Sequence, residues 1–403
     1  MSYFLVPCLG LFVIGVVQTS AHTQVLVRGV LAAAAWTSLV HFSRRALPKS
    51  ARTPFLFLCA AQFHLAFWLS RTTPNGLAFP LVTAALGEIL GGIAPIGLAT
   101  LTITALVFRL ELVALAGAAY LYVWLGKRVH FAKVFAVGVL SVVTAAALTM
   151  SVDTYFWAPA ENMPLGPIYK GLVWPELSAV VFNVVDGHSS EWGISPPLHY
   201  WTHEIPKLLS FSLPLLFVGI LHKKSAVPTL LAVTHVALLS LVKHKEWRFI
   251  MYAVPLFNAA SAIGAASLSR RALLRFIVLM CIAASAFSSL VFLWISAHNY
   301  PGGVALDAFH RRIKTGGRVH ISVPAAMTGV SRFQCTHMER PSNALVRSLA
   351  PVIEYDKTER PNAAFWDTIT WTISDGPCVG KFKQLGDPID GLVGVVYCTS
   401  LYA

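Results

Sequence analysis

The sequence predicts an all-α polytopic membrane protein of about 10–11 transmembrane helices, followed by a small C-terminal domain with short strands. Three observations lead there. The 403-residue chain is 56% hydrophobic and only 12% charged, whereas soluble domains carry about 25% charged residues. Apolar runs recur from residue 23 to residue 297. The basic residues gather in short connections between those runs: Arg44, Arg45, Lys49 and Arg52; Lys127, Arg128 and Lys133; Lys223 and Lys224; Arg270, Arg271 and Arg275. A net charge of +13 would suit a nucleic acid if it formed one face. Spread over separate connections it follows the positive-inside pattern, so no nucleic-acid partner is expected.

Taken in order, Tyr3 to Val17 is apolar but lacks a basic leader, and reads as a membrane or juxtamembrane helix rather than a secretory signal. Apolar runs follow near 23–43, 54–70, 77–93, 95–108, 110–126, 130–150, 208–222, 227–243, 249–268 and 272–297. Several are shorter than the ~20 residues needed to cross the hydrocarbon core. One tilted helix would fit 95–126 almost as well as two, but two keep every basic cluster on one side. Ser70 to Asn75, Phe108 to Glu111, Asp153 to Trp157, His244 to Phe249 and His298 to Pro301 then share the opposite, lumenal face.

The polar connection at about 151–207 belongs to that face. It is acidic, with Asp153, Glu161, Glu176, Asp186, Glu191 and Glu204 against Lys170 and Lys207. Within it, Trp174-Pro175-Glu176 opens an apolar stretch to Val185, which predicts a helix along the membrane surface. Tyr155, Trp157, Trp174 and Trp192 read either as an interfacial aromatic belt or as a sugar and lipid platform. The chain thus divides into a transmembrane domain, 1–297, and a lumenal domain, 298–403. In the latter, Val319 to Val323 and Leu392 to Thr399 predict strands, with turns at Gly302-Gly303, Gly316-Gly317 and Asp375-Gly376-Pro377. Cys8, Cys59 and Cys281 lie in apolar runs as small hydrophobes. Cys335, Cys378 and Cys398 lie in the tail and allow at most one bridge, its pairing open. No metal-ligand spacing is present, and His310 and His320 read as surface polar groups.

His244, Lys245, Glu246 and Arg248 place four ionisable side chains in five positions between apolar runs. At a bilayer edge such a cluster either performs chemistry, binds an ion, or snorkels to fix topology. With Pro255 and Asn258 it resembles the hallmark of the endoplasmic-reticulum mannosyltransferases that use dolichyl-phosphate mannose. The likeness continues in order through Gln62-Phe63-His64, Ser70 to Asn75, Phe108 to Glu111, Val152 to Trp157, Trp174-Pro175-Glu176 and Ser189 to Gly193 with Pro196. It closes on His298 to Gly303, Ala326 to Phe333 and Tyr355 to Glu359. The His298 to Gly303 and Met327 to Phe333 segments favour the α-1,6 branch, which adds the eighth mannose to the lipid-linked oligosaccharide (glycosyltransferase family 22, GT-C type).

The resemblance implies a multi-pass protein of the endoplasmic-reticulum membrane with a lumenal C-terminus. It implies dolichyl-phosphate mannose as donor, a dolichyl-diphosphate oligosaccharide as acceptor, contact with membrane lipid, and no cofactor. Two departures stand out. Ala158 to Val173 contains an apparent insertion of about ten residues, tolerable in a solvated loop. The family also implies a first lumenal loop with an essential acidic residue, and before Glu88 this chain has no aspartate or glutamate. The expectation is a family member lacking its amino-terminal segment and transferring little mannose alone. A catalytically inactive remnant that binds lipid-linked sugar, a sister α-1,2 or glycosylphosphatidylinositol mannosyltransferase, and a transporter are the alternatives. No internal repeat supports the last.

Transfer from a β-linked mannosyl phosphate to an α product inverts the anomeric carbon and needs a base for the acceptor hydroxyl. The leaving phosphate needs cations and hydrogen-bond donors. A single lipid phosphate carries less charge than a diphosphate, so no metal is demanded. His244, Lys245 and Arg248 suit the phosphate, Glu246 suits holding Arg248 or Lys245, and Arg71, Arg109 and Glu111 are supporting residues. Asp153 is the candidate base within the sequence, whereas the resemblance implies that the family's own base would lie upstream of Met1.

Overall fold

The computed structural model describes residues 20–157, 173–182, 186, 193–313, 315–331, 334, 353–359, 362–374, 382–384 and 396–400. Met1, the predicted helix at Tyr3 to Val17, and residues Trp192, Cys8, Cys335, Cys378 and Asp375 to Pro377 lie outside them. So does the apparent insertion that starts at Ala158, apart from Val173. The side chains of Trp157 and Cys398 are likewise not described. The chain forms two compact units, Arg28–Leu290 and a second that takes in the described residues before and after it.

The apolar runs are helical. α1 (Ser20–Ala46), α2 (Lys49–Ala60) and α3 (Phe63–Trp68) are followed by α4 (Pro74–Gly91), α5 (Ala94–Val107) and α6 (Leu112–Leu125). Residues 95–126 are therefore two helices, broken by the turn at Phe108 to Glu111. α4 begins where Thr73 Oγ1 accepts from the Gly76 amide at 3.1 Å and Pro74 occupies the first turn. It stops at Gly92, whose φ of 103° is left-handed. α7 (Phe131–Trp157) and the short α8 (Pro175–Val180) follow, the latter with proline in its first turn.

Beyond it, a π turn at Tyr200–Glu204 leads into α9 (Ile205–Leu209), then α10 (Leu213–Gly219) and α11 (Ala226–Ser240). The segment closes with α12 (Trp247–Ile250), α13 (Val254–Leu268) and α14 (Ala272–Ala297). Some predicted spans are cut into shorter pieces. Gln62 interrupts the run 54–70, and Ser210, at φ 49°, interrupts 208–222. Among the described residues, four stretches remain long and apolar enough to cross a membrane unbroken: His22–Ala46, Phe131–Phe156, Trp247–Leu268 and Ala272–Ala297.

α13 is the axis of the first unit. Every residue from Val254 to Ala265 is buried, and a helix apolar on all sides belongs inside. Its small residues let α10 approach closely. A Cβ on Gly219 would fall on the Ala260 carbonyl, and one on Gly264 would lie 2.5 Å from the Leu215 carbonyl oxygen. By contrast, α7 and α14 expose Leu140, Val143, Phe276, Phe287 and Leu290, surfaces suited to lipid rather than water. Inside, Gln62 and Asn258 form a reciprocal amide pair. Gln62 Nε2 donates to Asn258 Oδ1 at 3.0 Å and to Ser212 Oγ at 3.1 Å, while Asn258 Nδ2 returns a bond to Gln62 Oε1 at 2.8 Å. Unpaired amides in a water-free bundle would cost several kcal/mol each. Cys59 and Cys281 are free thiols, the first buried.

In the second unit, α15 (Pro301–Arg312), α16 (Val323–Met327) and α17 (Ala363–Asp367) accompany a five-stranded sheet of order β2-β1-β3-β5-β4. The strands are β1 (Gly317–Ile321), β2 (Ile353–Asp356), β3 (Trp371–Ser374), β4 (Phe382–Gln384) and β5 (Val396–Ser400). β1 runs parallel to β2 and β3, while β5 is antiparallel to β3 and β4. Leu306, Phe309, Val319, Ile321, Ile353 and Ile373 form its core.

Against this fold one expectation is shortened and others fail. The strand from Val319 ends at Ile321, because Ser322 caps α16 and Pro324 sits in its first turn. Gly302-Gly303 is not a turn; both glycines lie in α15, and a Cβ on Gly302 would strike the Ala325 carbonyl. His320 is buried rather than superficial, 3.6 Å from Asp356 Oδ1 and against the edges of Phe365 and Trp366. His310 is half-buried and pairs with the Tyr355 hydroxyl at 2.7 Å.

Candidate active site

The first turn of α4 carries Asn75 into the bundle, where it is only 1% exposed. Its Nδ2 donates to Glu111 Oε1 at 2.8 Å, to the Arg248 carbonyl at 3.3 Å and to the Tyr252 hydroxyl at 3.3 Å. Three stretches far apart in sequence are thereby fastened to one side chain: Ser70 to Asn75, Phe108 to Glu111 and His244 to Tyr252. Asn75 Oδ1 is buried and has no partner among the described residues. At the far end of α4, about 20 Å along the axis, Glu88 pairs with His41 at 2.7 Å and Arg45 at 3.0 Å. The Asn75 cluster and the basic end of α1 therefore lie at opposite ends of this helix.

Glu246 precedes α12 in extended conformation. One carboxylate oxygen meets His244 Nε2 at 3.1 Å, and the other accepts from Arg248 through Nε at 2.7 Å and through Nη2. Burial pushes this carboxyl up, but the hydrogen bonds and charges of His244 and Arg248 outweigh it and hold it below the usual range. Lys245 turns away from Glu246. Its Nζ donates to the carbonyls of Val242 at 2.6 Å and Ser195 at 3.3 Å, and the residue is 8% exposed. The Ser195 amide in turn donates to the Lys243 carbonyl at 3.0 Å, so the stretch before Pro196 is fastened to the same loop. Burial pulls the Lys245 ammonium below its ordinary value. Tyr200, fully buried, donates from its hydroxyl to the Glu246 carbonyl at 3.2 Å.

Aromatic rings wall this cluster. Trp247 meets Trp68 at 5.3 Å and His64 at 6.0 Å, and the Arg248 guanidinium lies 5.8 Å from the Trp68 ring. Arg71 lies over Phe67 at 4.1 Å. Arg109 Nε is 3.9 Å from Glu111 Oε1, an ion pair too long for a hydrogen bond. Burial lifts the Glu111 carboxyl, outweighing its backbone hydrogen bond, Arg109 and Asn75.

Asp153 is half-buried near the C-terminal end of α7. The neighbouring Thr154 Oγ1 accepts from the Val173 amide at 3.0 Å. Glu176 on α8 is raised by its own burial and then by the charge of Asp153. Among the described residues no hydrogen bond or ion pair joins Asp153 to His244, Lys245 or Arg248. The alternative base expected upstream of Met1 falls outside the described residues, which begin at Ser20. Tyr155 is 79% exposed beside Asp153, and Trp174 is half-buried before α8. Tyr252 and Trp68 go unmarked in the sequence, while Asn75 enters only as the end of the Ser70 to Asn75 segment and Tyr200 only as one of the aromatics of the 151–207 connection. Asn75 has a further signal, as a polar residue in the Thr-Pro-Asn start of an apolar helix.

Fold and site together define a helical membrane bundle of GT-C type with a charged cluster walled by aromatic rings. The chain belongs to the Alg9-like mannosyltransferase family, whose profile matches residues 5–326. It is 32% identical over 340 residues to the Dol-P-Man:Man(7)GlcNAc(2)-PP-Dol alpha-1,6-mannosyltransferase of Saccharomyces cerevisiae, covering 78% of this chain and 60% of that protein. With the Drosophila melanogaster protein of the same name it shares 33% identity over 324 residues, covering 77% of this chain and 46% of the relative. The chain thus spans about half to three fifths of the length of these curated relatives. The crystal structure of ArnT from Cupriavidus metallidurans bound to undecaprenyl phosphate shares its fold, with a TM-score of 0.54 at 11% identity over 94% of this chain and 84% of that one.

Proposed function

We propose that the chain transfers mannose from dolichyl-phosphate mannose to a dolichyl-diphosphate oligosaccharide in the endoplasmic-reticulum membrane, forming an α-1,6 linkage with inversion. The observation that carries this reading is the meeting of three charged stretches at Asn75 in a bundle of this family. The names of the relatives point the same way, and the ArnT structure of like fold holds a lipid phosphate.

In the transfer, the acceptor hydroxyl oxygen bonds to C1 of mannose and the C1–O bond to phosphate breaks. Dolichyl phosphate leaves with the electron pair, and the acceptor proton passes to a carboxylate. Charge builds on the phosphate, so donors already in place stabilise the transition state most. Glu246, ionised through its partners, keeps Arg248 and His244 in place for that task. Lys245 adds positive potential while binding the loop together. Asp153, with Glu176 beside it, is the carboxylate proposed for the proton, and Tyr155 and Trp174 offer ring faces for sugar. A single phosphate is matched by the chain's own cations, so no metal is assigned and chelation should leave transfer unchanged.

The basic connections set the orientation, with the 151–207 stretch and everything after His298 in the lumen. Glycosylation sequons engineered into both should be modified and one beside Lys223 should not; the reverse pattern overturns this topology. For the activity, purified chain in lipid nanodiscs is given the donor and the seven-mannose lipid-linked acceptor, and products are read by mass spectrometry. Failure to bind dolichyl-phosphate mannose at all would end the reading.

A further inference from the structure

The basic side chains around Asn75 are not equally available. Arg248 spends Nε and Nη2 on Glu246, and His244 spends Nε2 on the same carboxylate. Lys245 spends its ammonium on two carbonyls. Arg109 differs from all three. Its guanidinium makes no hydrogen bond among the described residues, its Nε is enclosed without a partner, and its one ion pair stretches to 3.9 Å. The side chain is 30% exposed, so part of the fork reaches outward while Nε stays inside.

An enclosed N–H with no acceptor is unfavourable, and native structures rarely leave one without a reason. The carboxylate that could satisfy it, Glu111, is drawn instead into a 2.8 Å hydrogen bond from Asn75. Among the described residues the turn between α5 and α6 thus presents a guanidinium fork without a hydrogen bond, next to a carboxylate whose Oε1 already accepts from Asn75. Planar guanidinium donors match phosphate oxygens in pairs.

We infer that Arg109 is the direct ligand of a membrane-borne phosphate monoester, with Glu111 as the counter-charge that the phosphate displaces from it. This rests on the lipid-phosphate reading above and deepens it. The guanidinium in the His244 to Phe249 cluster commits Nε and Nη2 to Glu246, whereas Arg109 commits none of its donors to a hydrogen bond among the described residues. Glu111 then weakens binding by repulsion, so its neutralisation should tighten it. A merely structural ion pair would give the opposite sign.

The test is binding of dolichyl phosphate, without sugar, to the full chain in phosphatidylcholine nanodiscs. Arg109→Gln should weaken binding at least tenfold, Arg109→Lys should recover part of it, and Glu111→Gln should strengthen it several-fold. Thermal unfolding of each variant confirms that it is folded. Phosphatidylglycerol, an anionic phosphodiester, added as competitor separates a phosphate monoester from any anionic headgroup. Wild-type binding with Arg109→Gln equally tight overturns the inference while the function reading stands. Weaker binding in Glu111→Gln, or equal displacement by phosphatidylglycerol, also overturns it. No binding of dolichyl phosphate or dolichyl-phosphate mannose by the wild type removes both.

Discussion

Replacing Asn75 by alanine removes one hydrogen-bond donor group that serves three acceptors in a site with almost no solvent. The bond to Glu111 is 2.8 Å and charge-assisted, a class that contributes about 1.5–3 kcal/mol. The 3.3 Å contacts to the Arg248 carbonyl and the Tyr252 hydroxyl add less individually, but both acceptors are left dry. Orphaning a buried charge brings the expected loss to about 3–5 kcal/mol, well above the ~1 kcal/mol of an ordinary point mutation.

Asn75→Asp should be worse at neutral pH, since a second carboxylate would face Glu111 in a poorly screened site. Lowering the pH should rescue it, because burial already favours the protonated form of Glu111. The assay is thermal unfolding of purified protein in one detergent, with a double-mutant cycle between Asn75→Ala and Glu111→Gln. A coupling of about 1–3 kcal/mol is expected for residues in one network. A loss below about 0.5 kcal/mol for Asn75→Ala, or strict additivity in the cycle, would refute the idea that Asn75 fastens the three stretches together.

The two carboxylates of the site should act on stability in opposite directions with pH. Glu246 is held below its ordinary value of 4.5, so its stabilisation is present above that value and lost as pH falls through the folded-state value. The difference between wild type and Glu246→Gln should therefore shrink below pH 4.5. Glu111 is raised from 4.5, so its contribution is fully present below that pH and declines as pH rises through the folded-state value. Glu111→Gln should gain on the wild type over that rise, read from unfolding midpoints across pH. Gly219→Val should force α10 and α13 apart, because its side chain would enter the Ala260 carbonyl; a well-folded variant of wild-type thermal stability would contradict that packing. Phe309→Ala should cost the second unit about 3–5 kcal/mol, seen as faster proteolysis after Leu290 while Arg28–Leu290 survives.

Much of this fold was legible because its signals are local. Apolar runs become helices since a chain in lipid must satisfy its backbone internally, and the break at Phe108 to Glu111 followed from keeping basic connections on one side. Trp174-Pro175 announced the start of α8, whereas the like signal of Thr73-Pro74 at the start of α4 went unread. The divisions at Gln62 and Ser210 were not legible; Gln62 answers to Ser212 and Asn258, which lie far away in sequence. Strands β2, β3 and β4 went unseen, being three or four residues long with too little alternation to register. His320 read as superficial because its burial depends on Phe365 and Trp366, which lie in a separate helix.

The site divides along the same line. The residues between His244 and Arg248 identify themselves by sequence, since charge beside an apolar run is rare enough to mark a site wherever it occurs. Which charges remain available is decided only in three dimensions. Lys245 is tied to carbonyls of residues 195 and 242, Arg248 commits Nε and Nη2 to Glu246, and Arg109 makes no hydrogen bond among the described residues while Asn75 donates to Glu111. Residue type states how many donors a side chain has, whereas partners brought from distant positions decide how many are spent. No spacing or periodicity in the chain encodes that balance, because it arises from packing helices whose sequences are separated by scores of residues.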